Sequence, residues 1–171
     1  MPDWISHILL ALIICEIFNI REKSLVMLGS LLPDILFKIQ LISNLVDIPK
    51  YKLYWFLAPL HTPLGCLLAT FLIIFLFKYP RKRTFLLVTL GWISHLLSDM
   101  ITKYLFLGQS MLLFPFSWKN YGFNLFWPEQ FYIPLLILLF IYIYVRILKR
   151  FILKNKRFKT ARLQVPSIAP Q

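Results

Sequence analysis

At 171 residues, 59% of them hydrophobic, with a mean hydropathy of +0.71, the chain carries more apolar surface than a water-soluble domain of this size needs for its core. That excludes an ordinary soluble domain and leaves room for about five spans of roughly 20 residues, hence one membrane domain. The net charge of +12 does not point to nucleic acid, because the basic residues stand in short loops and a tail beside apolar runs, where they orient the chain and meet anionic lipid.

In chain order, the first apolar run, MPDWISHILLALIICEIF, lacks a basic leader and a small-residue cleavage site, so residues 4–20 read as a retained helix rather than a signal peptide. The second segment, 25–43, is the weakest: Pro33, Asp34 and Lys38 interrupt it, although it is still counted as crossing. Segments 56–77 and 84–102 follow. An aromatic-rich connection over 103–130 reads as an interfacial loop folded over one end of the bundle. The clearest span is 131–148. Beyond Tyr144 the composition turns basic, so the expected organisation is a membrane domain over 1–148 and a flexible cytoplasmic tail over 149–171. Cys15 and Cys66 lie inside apolar helices at no metal-finger spacing and read as packed thiols. The fold expected is an all-α polytopic membrane helix bundle.

Orientation follows from the positive-inside rule. The turn KYPRKR holds Lys78, Arg81, Lys82 and Arg83, and the tail from Arg146 to Arg162 holds eight basic residues; both are expected on the cytoplasmic side. Counting back through two loops places Arg21 and Lys23 inside as well, so the N-terminus lies outside and the C-terminus inside. Fourteen of the nineteen basic residues then fall on the inner side, while Trp4, Trp55, Trp118 and Trp127 fall at the outer interface.

The same topology gathers the ionisable residues of the apolar segments. Asp3 and His7 open the first span, Asp34 lies past the middle of the second, His61 stands in the first turns of the third, and His95 and Asp99 occupy the last two turns of the fourth. All six come to the outer half of the membrane. A charge at membrane depth costs at least about 2.5–3.5 kcal/mol, so such a layer needs internal partners or a cation. In GWISHLLSDMIT, His95 and Asp99 are four apart and project from one helix face, a spacing that can hold one metal from two positions. Asp3 is a candidate to orient His7 from behind. Imidazole nitrogen and carboxylate oxygen suit zinc, and also manganese or iron. Such a metal would activate water for hydrolysis, with Asp34 or Asp99 bridging metals or acting as general base. Placement near the outer headgroups suggests a lipid or lipid-linked phosphoester.

Blander roles compete at each position. A lone intramembrane histidine often bonds a neighbouring helix, Asp34 can cap a break after Pro33, and Asp3 can be an N-cap. The rival functions are a small transporter or metal-handling membrane protein, which needs polar groups through both halves of the bilayer, and a structural protein with a polar packing layer, which binds no metal.

The ordered motifs MPDWISHILLA, GSLLPDI, APLHTPLG, GWISHLLSDMIT and LLFPFSW resemble those of the predicted membrane-bound metal-dependent hydrolases, the YdjM-like (DUF457) group, over residues 1–118. The resemblance implies a divalent metal held by His7, Asp34, His61, His95 and Asp99. A more distant likeness, in ligand order alone, is to the zinc-dependent phospholipase C and S1/P1 nuclease group, and it implies phosphoester hydrolysis. No histidine follows His95, so the chain lacks the further ligands of that trinuclear site.

Overall fold

The computed structural model describes residues 3–38, 49–103 and 111–163, and among them the regular structure is entirely helical apart from one isolated bridge. The order is α1 (Trp4–Ile17), α2 (Lys23–Lys38), α3 (Lys50–Leu57), a short 3-10 helix (Ala58–His61), α4 (Pro63–Ile73), α5 (Arg81–Asp99) and α6 (Tyr132–Leu163). Each expected apolar segment therefore contains a helix; residues 39–43 of the second lie outside the described residues.

Local chemistry sets the boundaries. Asp3 Oδ1 accepts from the Ser6 amide at 2.6 Å and starts α1 as its N-cap. Pro33 does not end α2, which continues five residues past it. The third segment, expected to be one helix, is instead divided: Pro59 and Pro63 interrupt the hydrogen-bond ladder, and Thr62 restarts it by accepting from the Gly65 amide at 3.1 Å while donating to the Pro59 carbonyl at 2.6 Å. His61 consequently stands in a 3-10 turn ahead of α4 rather than in the first turns of a long helix. At the other end of the chain, α6 runs unbroken to Leu163, so the boundary drawn at 148 is a change of composition within one helix. Residues 164–171 of the expected tail lie outside the described residues.

Only the stretch Pro128–Ile152 is by itself long and apolar enough to cross a bilayer among the described helices. At about 1.5 Å per residue, α1 reaches about 21 Å against a hydrocarbon core of about 30 Å. Helix α5, with 19 residues, is longer but opens on Arg81, Lys82 and Arg83.

The packing runs opposite to that of a soluble protein. Ser6, His7, Ser30, Thr70, Thr84, Ser94, His95, Ser98 and Asp99 are buried, whereas Leu72, Leu76, Leu136, Phe140 and Tyr144 face outward. Small residues and hydroxyls inside with large apolar side chains outside is how helices associate when lipid is the solvent, because hydrophobic burial no longer drives their contact. The closest crossing is α2 on α5, and it is reciprocal: a Cβ at Gly29 would lie 2.1 Å from the Val88 carbonyl oxygen, and one at Gly91 would lie 2.0 Å from that of Val26. Two apolar clusters flank this crossing, one of Cys66, Ala69, Trp92 and Leu96, the other of Ala11, Cys15 and Val26. Both thiols are free and packed, as expected. Past α5 the chain doubles back: the amides of Phe123 and Leu125 bond the carbonyls of Met100 and Ile101 at 2.6 and 2.8 Å, and that of Lys103 bonds Phe126 at 2.6 Å. The connection thus lies against the residues that follow Asp99.

A candidate metal centre between four helical segments

Three histidines converge on one carboxylate. Asp99, at the end of α5, has Oδ2 2.9 Å from His61 Nε2 and 3.1 Å from His95 Nε2, and its Oδ1 lies 3.5 Å from His7 Nε2. Asp34, on α2, approaches the same centre, with Oδ1 3.9 Å from His95 Nε2. The rings of His7 and His95 stack at a centroid distance of 3.9 Å, and His61 meets His95 edge-on at 5.1 Å. All five residues expected as ligands are brought together, from α1, α2, the 3-10 turn and α5.

Their orientation is set from behind. His95 Nδ1 lies 2.7 Å from the Ser30 carbonyl oxygen, which only accepts, so this nitrogen carries the proton and Nε2 presents its lone pair to the centre. The Ser98 hydroxyl donates to the His95 carbonyl at 2.8 Å. Ser98 Oγ also lies 2.8 Å from His7 Nδ1; while its proton is on the His95 carbonyl it accepts there, which leaves the His7 Nε2 lone pair turned inward. The His95 tautomer is thus fixed as the one that ligates through Nε2, and the contact of His7 with Ser98 is compatible with the same tautomer.

Those lone pairs face the oxygens of a carboxylate at 3.1 and 3.5 Å in a buried place. Two acceptors held this close repel unless a proton or a metal cation lies between them. The spacing suits a metal ion, since ligand atoms about 2.0–2.2 Å from one tetrahedral zinc stand about 3.2–3.6 Å apart. One ligand atom each from His7, His95 and Asp99 fall within 4.8 Å of one another. The donor set therefore fits a divalent metal on its own geometry.

The cluster opens on one side. His7, His95 and Asp99 are 0 to 2% exposed, while His61 and Asp34 reach 11% and 18%, so these two form its more accessible side.

Asp3, expected to orient His7, is seen as a helix cap. Its carboxylate starts α1, and the group behind His7 Nδ1 is Ser98. Ser98 and the Ser30 carbonyl were not among the residues expected at the site. Ser98 stands three residues after His95, on the same helical face, and that periodicity was its available signal.

A second polar cluster occupies the opposite end of the same helices. Glu16 of α1, only 5% exposed, bonds Lys23 of α2 and receives Arg146 at 3.2 Å and Lys149 at 2.9 Å from α6. Beside it, Arg83 of α5 bonds Glu22 at 2.7 Å. The basic residues around 21–23, 81–83 and 146–149 therefore share one end of the bundle, and the histidines lie at the other.

No curated protein and no solved structure matches the chain. The model of a family described as YdjM inner membrane protein matches residues 2–165, and the chain belongs to that family.

Proposed function

We propose that this protein is a membrane-bound metal-dependent hydrolase whose divalent metal, zinc by preference and manganese or iron by chemistry, is held by His7, His61, His95 and Asp99, with Asp34 at the edge. The observation that carries the reading is the inward-turned Nε2 atoms of His7 and His95 around Asp99, each with a hydrogen bond on its Nδ1. A metal bound there supplies Lewis acidity and a water acidic enough to attack at neutral pH. Asp34, the more exposed carboxylate at the edge of the cluster, would serve as the proton acceptor for a water activated there. Asp99 holds the three imidazoles in register.

The charge distribution supports five spans with the N-terminus outside and the C-terminus cytoplasmic. In that orientation the site lies near the extracytoplasmic headgroups, and the substrate is a phospholipid or lipid-linked phosphoester whose chains stay in the bilayer. A transport path is less well supported, because the one buried carboxylate of the other half among the described residues, Glu16, is engaged by three cations.

The test is elemental analysis of the purified native chain beside His95→Ala and Asp99→Ala, followed by hydrolysis of phospholipid and phosphodiester panels with and without chelator. The reading requires metal in the native protein, its loss in both variants, and turnover abolished by chelator and by His61→Ala. Native protein without metal, or turnover indifferent to chelator, refutes it.

A further inference from the structure

Helix α6 touches the rest of the bundle mainly through α1, and its basic end is overcharged. Lys23, Arg146 and Lys149 meet the single carboxylate of Glu16, leaving two positive charges uncompensated, and Arg150, which pairs with no carboxylate among the described residues, adds a third. Arg146 and Arg150 stand one turn apart and frame a groove of about 260 Å³ whose other walls are Tyr142, Ile143 and Ile147. That is less than the roughly 300–1,000 Å³ of pockets that enclose a whole small molecule, so the groove suits part of a ligand that continues along the helix.

We propose that this groove binds an anionic phospholipid, its phosphate between Arg146 and Arg150 and the start of its acyl chains along Ile143 and Ile147. The donors are in place. Arg146 spends Nη1 on Glu16 and on the Tyr142 hydroxyl at 3.4 Å, which leaves its remaining N–H groups for a second anion. The Tyr142 oxygen accepts from Arg146, so its own proton is available to a phosphate oxygen. The polarity also matches: Arg150 stands at the end of the groove toward the basic tail and Ile143 toward the other, with Arg146 and Ile147 side by side between them, in the order of a lipid entering from the basic side of the membrane. A free anion uses the charges and not the apolar walls, and a neutral lipid uses the walls and not the charges.

Thermal unfolding of the detergent-purified full chain tests this with three additives: phosphatidylglycerol, phosphatidylcholine of the same acyl chains, and inorganic phosphate. Phosphatidylglycerol alone should raise Tm. Arg150→Gln should lose most of that rise and Tyr142→Phe part of it, while Lys82→Gln, which removes the same charge from the 81–83 turn, should keep it. Equal losses in Arg150→Gln and Lys82→Gln would mean diffuse attraction to basic surface and overturn the site. So would a rise of the same size with phosphatidylcholine or with phosphate.

Discussion

The carbonyl oxygen of Ser30 accepts from Nδ1 of His95 at 2.7 Å, and this one bond between α2 and α5 decides which edge of the imidazole faces Asp99. It exists because the two helices touch backbone to backbone at Gly29 and Gly91. The close crossing and the ligand geometry are thus a single feature.

Gly91→Ala should therefore damage the site from a distance. The new methyl would lie 2.0 Å from the Val26 carbonyl and 2.8 Å from the Ser30 amide nitrogen, and neither backbone atom can move without shifting α2. Overpacking commonly costs about 1–3 kcal/mol, and a backbone clash of this depth belongs at or above the top of that range. Thermal unfolding should show the loss, and metal analysis should show reduced occupancy although no ligand has changed. Gly29→Ala should behave alike; full occupancy in both would separate the crossing from the site.

Ser98→Ala isolates the tautomer of His7. The hydroxyl that accepts from Nδ1 is removed while the helix backbone is unaffected. Loss of such an outer partner typically weakens metal binding about 10–100-fold. Competition with a chelator of known affinity should register that weakening with Tm of the metal-free protein nearly unchanged. Native-like affinity would mean that His7 is oriented by something else.

Much of this centre was legible in the sequence. His7, Asp34, His61, His95 and Asp99 announce themselves because each is ionisable within an apolar run, and loop charges place them at one depth. The parts that were not legible have no such signature. Ser98 looks like any hydroxyl in a lipid-facing chain, and the Ser30 acceptor is a backbone atom that every residue possesses. The 3-10 turn under His61 was signalled by Pro59 and Pro63 yet obscured by the continuous hydropathy of the segment. Glu16 finds two of its partners about 130 positions away on α6, a pairing that no local pattern encodes.

Asp3 offers a contrast between capping and coordination. Asp3→Ala should cost about 0.5–2 kcal/mol through loss of the N-cap, and Asp3→Asn, which caps equally well, should cost little. Both should keep the native metal content, whereas Asp99→Asn, at the centre of three imidazoles, should lose it. Metal loss in Asp3→Asn would return Asp3 to the site.

Glu16→Gln addresses how α6 is held. Its carboxylate joins α1 to Lys23 of α2 and to Arg146 and Lys149 of α6, so neutralising it leaves three cations around one amide. Removing one partner of a buried ion pair costs about 3–5 kcal/mol when the other charge stays buried. Here the cations are 30 to 42% exposed and can turn to water or lipid phosphate, which puts the expected loss near the lower end, about 3 kcal/mol. Because α6 contributes none of the five candidate ligands, metal content should persist while Tm falls and limited proteolysis begins to cut α6. The lipid groove bears on the size of the effect: with Glu16 neutralised, Arg146 is released to a phosphate altogether, so phosphatidylglycerol should restore more stability to Glu16→Gln than to the native chain. A smaller rescue in the variant would show that the carboxylate organises the groove instead of competing with the lipid for Arg146.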